Sequence, residues 1–148
     1  MEPVQERETT GAWWEHFAHE ADIGVRGCGH TLAEALAQAG LALCAVVIDP
    51  ARIQPRQSLQ ISVESSDPEM LLVEWLDALI YPMATRGLLF SRFDITLDEH
   101  RLTATAWGEV VDRARHAPAV EVKGATFTAL HVARDDTGLW TAQCVVDV

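Results

Sequence analysis

The hydrophobic repeat of this 148-residue chain changes period along its length, and that change limits the folds open to it. Thr31-Leu32-Ala33-Glu34 is a capping box: the threonine hydroxyl can accept the Glu34 amide while the glutamate returns to the cap. Behind it Leu32, Leu36, Ala39, Leu43 and Val46 or Val47 recur at helical spacing, which predicts a helix from about Leu32 to Val47. Asp49-Pro50 stops it, because the residue before a proline is pushed out of the helical region. Asp67-Pro68 opens a second helix whose inner face is Leu72, Trp75, Leu76, Leu79 and Ile80. Pro82 is expected to kink or end that helix, and Gly87 to close the turn after it.

Elsewhere the period is two. Trp14 to Phe17 and Ile23 to Cys28 read as short extended segments, the glycines at 24, 27 and 29 marking a bend. Ser58 to Glu64 alternates Leu59, Ile61 and Val63 against polar neighbours, a half-buried strand. Leu88 to Leu97 and Leu102 to Val110 flank Asp98-Glu99-His100-Arg101 as a hairpin. A polar loop, Asp112 to Ala119, precedes a second strand pair, Val120 to Arg134 and Leu139 to Val148, around Asp135-Asp136-Thr137-Gly138. The order predicts an α+β fold: one domain over 12–148, with a mostly antiparallel sheet and two helices packed on it. Residues 1–11 read as a disordered N-terminal tail, without the apolar core of a signal peptide.

The formal net charge is −11, from 22 acidic against 11 basic residues. Such a surface repels phosphate backbones, so no direct, high-affinity nucleic-acid role is expected. It suits a divalent cation or a basic protein partner, or serves solubility alone. No apolar run approaches the roughly 18 residues of a membrane span. Cys28, Cys44 and Cys144 lie far apart in apolar stretches with no C-x-x-C pair, so they read as core thiols in a reducing cytoplasm.

Two places could carry chemistry. In His19-Glu20-Ala21-Asp22-Ile23-Gly24 a carboxylate sits beside a glycine in an irregular link. Asp22 there either caps a turn or offers oxygen to a cation. The chain ends Cys144-Val145-Val146-Asp147-Val148, putting the Asp147 side chain and the Val148 α-carboxylate within one residue. Like charges held that close favour a bound cation, and oxygen-only ligands suit calcium or magnesium. The alternative is a solvated terminus. Zinc is not indicated: His16 and His19 would point to opposite faces of a strand, and no second Cys/His pair exists. Glu74 and Asp77 lie off the apolar stripe of the second helix and read as solvated acids. Glu121 and Lys123, two apart on one strand face, make a surface ion pair worth about 0–1 kcal/mol; alternatively Lys123 holds a phosphate or a partner carboxylate.

In this order the segments resemble the archease family over about Trp14 to Val148. His19-Glu20-Ala21-Asp22-Ile23-Gly24 is similar to the family's H-T-A-D-[IL]-G. Leu71 to Leu76 follows on the second helix, and Ala104 to Glu109 on a strand. Glu121-Val122-Lys123-Gly124-Ala125-Thr126 resembles E-V-K-A-x-T, and Val146-Asp147-Val148 matches the family's hydrophobic-Asp-hydrophobic end. The resemblance implies a non-enzymatic cofactor that helps an RtcB-type RNA ligase become guanylylated and turn over in tRNA splicing or RNA repair. It also implies a divalent-metal site at Asp22, Asp147 and the Val148 carboxylate, with Lys123 at the family's lysine position. Glu20 replaces the usual threonine and adds an anion that either joins the site or faces water. Gly124 stands where alanine is usual, and Pro82 interrupts a helix end that is typically longer. A stand-alone metal-dependent phosphoester or nucleotide hydrolase, and a general protein chaperone module, are the competing readings.

Overall fold

Thr31 Oγ1 accepts the Glu34 amide at 3.1 Å, but the Glu34 carboxylate returns to the His30 amide at 2.8 Å, one residue before the cap. From this box helix α1 runs over Leu32–Val47. Asp49 then caps the 3-10 turn Pro50–Arg52. Helix α2 is Pro68–Arg86, capped by the Asp67 carboxylate and closed by Gly87 at φ +64°. Pro82 does not end it. A proline removes one N–H and crowds one carbonyl of the preceding turn; Leu79, Ile80 and Pro82 are buried, and core packing carries the helix on to Arg86.

The computed structural model describes residues 11–148, so the expected N-terminal tail lies, except for Gly11, outside the described residues. The strands are β1 Trp13–His19, β2 Asp22–Gly29, β3 Gln57–Glu64, β4 Leu88–Asp98, β5 Arg101–Val110, β6 Gly124–Ala125, β7 His131–Arg134 and β8 Trp140–Asp147. All pair antiparallel, and the fold is α+β as expected, in two sheets rather than one. One sheet runs β1-β2-β8-β6, with β7 also on β8; the other runs β3-β5-β4.

The helices form a layer between the sheets. On one side of α1, Gly27 of β2 meets helix backbone: an added Cβ would stand 2.2 Å from the Ala35 carbonyl oxygen and the Ala39 nitrogen. On the other, Gly40 abuts Phe93 of β4 and Trp75 of α2. The glycines at 24 and 27 therefore permit close approach within a regular strand and mark no bend; at Gly24 the approaching group is the Phe17 ring. Trp75, Phe90, Leu36, Leu43, Leu72, Leu76, Leu79 and Leu102 fill the core. Each such side chain contributes about 1.5–3 kcal/mol, and the buried Trp75 Nε1 donates to the Leu36 carbonyl at 2.8 Å.

Two expectations fail after β5. Residues 112–119 are not simply a polar loop: Asp112 caps a one-turn helix, α3 (Arg113–His116), whose last residue is fully buried. Val120 to Arg134 is not one strand. Only β6 and β7 pair, because the Thr126 amide donates to the Val145 carbonyl and the Val145 amide to the Thr128 carbonyl, bending the intervening chain across the edge of β8. No helix among the described residues is long and apolar enough to cross a membrane. The three cysteines are free and buried, and burial pushes the Cys44 and Cys144 thiols up to about 12.

Candidate functional site

Sheet register decides which of the expected site residues meet. The β1–β2 hairpin pairs His19 with Asp22 across the two-residue turn Glu20-Ala21. The last pair of β2 with β8 is Ile23 with Val146, which leaves Asp22 and Asp147 together at the end of the ladder. On the far edge of β8, Gly124 pairs with Asp147. Residues opposite one another across an antiparallel ladder share a face. One row at the end of the sheet therefore reads His19, Asp22, Asp147, Gly124. Ile23, Val25, Cys144 and Val146 occupy the alternate, core-facing positions, so the row lies on the outer face.

Asp22 is half-buried and Asp147 exposed, and neither side chain has a hydrogen bond or ion pair. Asp22 thus does not cap the turn. Opposed residues in such a ladder have Cα atoms about 4.5–5.5 Å apart, so the register holds two uncompensated carboxylates on neighbouring strands. The Lys123 amide donates to the Asp147 carbonyl at 2.7 Å, which fixes that residue beside the row by its backbone. Its ammonium is exposed and pairs with nothing, so the expected ion pair with Glu121 is absent. Glu20 sits in the turn at φ +52° with its side chain exposed, outside the strand row. Val148 packs against the core edge. Among the described residues, no group of three or more His, Cys, Asp or Glu is gathered to hold a metal ion.

The model of the archease protein family matches residues 14–148. The chain belongs to the archease family. It is 40% identical to the archease of Thermococcus gammatolerans over 139 residues, covering 91% of this chain and 98% of that one. It is 37% identical to the archease of Pyrococcus furiosus with the same coverage. The solution structure of protein 1598 from Methanobacterium thermoautotrophicum superposes with a TM-score of 0.81 at 32% identity, over 91% of this chain and 98% of that one. The crystal structure of a Thermotoga maritima archease, described as a possible chaperone, shares the fold at TM-score 0.60 and 16% identity, over 90% and 96%.

The archease fold holds a second polar cluster that the sequence reading missed. Glu109 of β5 is only 3% exposed. Its carboxylate accepts the Gln54 amide at 2.7 Å, Arg115 at 2.6 Å and Arg56 at 3.2 Å. His116, wholly buried, lies at 3.1 Å through Nε2. The Asp112 amide donates to His116 Nδ1 at 2.8 Å, so the ring proton must sit on Nε2 and be donated to Glu109. The Arg115 guanidinium, then the Gln54 amide and His116, hold the Glu109 carboxyl down at about 2 against the opposing effect of burial. In the structure the alternation of β5 breaks at Gly108-Glu109, where two successive residues are buried. Asp77 is exposed, as expected, and in addition accepts the Ala125 amide at 3.0 Å, tying β6 to α2.

Beside the cluster opens a cleft of about 390 Å³ between the C-terminal ends of α1 and α2 and the segment 111–122. Val47, Met83, Leu89, Val111 and Val122 give it an apolar floor; Arg113 and Glu121 also line it.

Proposed function

We propose that this chain is a non-enzymatic, metal-binding activator of an RtcB-type RNA ligase, promoting the ligase's guanylylation and repeated turnover in tRNA splicing or RNA repair. The observation that supports the reading best is the β2–β8 register, whose last pair, Ile23 with Val146, leaves Asp22 and Asp147 together at the end of the ladder with neither carboxylate compensated. Two such anions, with the Val148 carboxylate one residue further on, form an oxygen-only donor set suited to a hard dication, calcium or magnesium, whose remaining positions water would fill. Bound there, the ion would neutralise the acids and present a positive point to anionic groups of the ligase site. Lys123 adds a free ammonium beside the row, and Glu20 a free carboxylate in the adjoining turn. The choice of an RtcB-type ligase as partner rests on the family resemblance.

The test is guanylylation of a cognate RtcB-type ligase with and without this chain, before and after chelation. Asp22→Asn and Asp147→Asn should each abolish the stimulation while leaving the thermal unfolding curve in place. Full stimulation by both variants would overturn the proposal. Phosphoester turnover by the chain alone, lost on Asp22→Ala, would make it a hydrolase instead. Chelator-insensitive binding of unfolded clients would make it a chaperone module.

A further inference from the structure

Ten of the chain's eleven Lys and Arg side chains fall among the described residues. Arg26, Arg56, Arg92, Arg101 and Arg115 are engaged by carboxylates, and Arg52 by the Arg115 carbonyl. Four have no hydrogen bond or ion pair: Arg86, Arg113, Lys123 and Arg134. One of these four, Arg113, lines the cleft of about 390 Å³. Arg86 immediately precedes the lining residue Gly87, and Lys123 immediately follows the lining residue Val122. In a chain of net charge −11, half of the ten described cations are paired with neighbouring acids. A cation left free on the wall of a partly apolar hollow complements an anion.

We infer that this cleft binds a small organic anion, with an apolar body on the Val47, Met83, Leu89 and Val111 floor and a single phosphate or carboxylate head on Arg113. The volume lies at the lower end of the roughly 300–1,000 Å³ of small-molecule sites. The wall is preformed. The Glu109 clamp fixes Arg115 and His116, and with them α3, which carries Arg113; the Ala119 amide is tied to the Val47 carbonyl at 2.9 Å, and the Lys123 amide to Asp147. A site held in this way pays little ordering cost on binding. Glu121 also lines the cleft, so the wall is not uniformly positive. A single anionic head matches it and an extended polyanion does not.

Phenyl phosphate and benzoate, with inorganic phosphate as the head group alone, are the probes, titrated into the full chain while methyl and amide chemical shifts are followed. Saturable binding of at least one organic anion is expected, with shifts confined to Met83, Leu89, Val111, Val122 and α3; the tighter of the two identifies the head group. Inorganic phosphate should bind about tenfold or more weakly, lacking the apolar body. Arg113→Ala should weaken the organic anion about tenfold at unchanged thermal stability, the loss expected for one charge-assisted contact. Asp22→Asn with Asp147→Asn should leave this binding unchanged, which separates the cleft from the acidic row. No saturable shifts up to about 10 mM of either organic anion, a range covering dissociation constants into the millimolar, would overturn the inference. So would shifts outside the cleft, or equal affinity in Arg113→Ala.

Discussion

Replacing Glu109 by glutamine removes the charge at the centre of a heavily bonded buried cluster while keeping the side chain's size. The carboxylate accepts from Gln54, Arg56, Arg115 and His116, and its carboxyl lies at about 2 against an ordinary 4.5. A tenfold change in acidity corresponds to about 1.4 kcal/mol, so these contacts favour the anion by at most roughly 3.5 kcal/mol. Solvent screens part of this, because Arg56 and Arg115 are themselves 68% and 45% exposed. About 2 kcal/mol is the working figure. The glutamine amide also turns a donor toward groups that only donate here, leaving one buried contact unmade. Urea unfolding at pH 7 should therefore show a loss of about 2–3 kcal/mol, and thermal unfolding a drop of roughly 5–10 °C. Because the folded carboxyl is depressed, its contribution is complete above about 4.5 and is lost as pH falls toward about 2. The gap between the two proteins should narrow over that window. A loss below about 0.5 kcal/mol at pH 7, or a gap unchanged between about pH 6 and pH 3, would refute the reasoning.

Gly27→Ala drives a methyl to 2.2 Å from the α1 backbone, which cannot swing aside as a side chain can; about 3 kcal/mol or more of stability should be lost, and full retention of the urea midpoint would contradict the packing of α1 on β2. Cys44 and Cys144 are buried with thiols pushed up to about 12, so a disulfide reagent at about pH 8 should label neither until denaturant is added, and prompt native-state labelling of either would count against the burial described.

Periodicity located the helices because both carry their own start signals, Thr31 with Glu34 and Asp67 with Pro68, and a buried stripe between. Pro82 fails to end the helix for a physical reason: its cost of about 3 kcal/mol is offset by the burial of Leu79 and Ile80, worth about 1.5–3 kcal/mol each. The partition into two sheets could not be read, since alternation shows that a strand has an inner face but not which strand it pairs with. Asp22 and Asp147 were legible individually, while their meeting at the end of the ladder follows from a register fixed by Ile23 against Val146. Glu109 and His116 escaped notice because a polar residue between hydrophobic ones reads as a surface position until its partners are known. Two of those partners, Gln54 and Arg56, lie more than fifty residues away in sequence, and the nearer two, Arg115 and His116, reach Glu109 only through the one-turn helix α3.

The two acids at the end of the ladder are the centre of the proposed activity, and the most direct measurement is single-turnover guanylylation of a cognate RtcB-type ligase in the presence of this chain, its Asp22→Asn variant and its Asp147→Asn variant. The unaltered chain should accelerate nucleotide transfer to the ligase, chelator should remove the effect, and each variant should fold normally yet fail to stimulate. Stimulation by both variants equal to that of the unaltered chain would contradict a role for the acidic row.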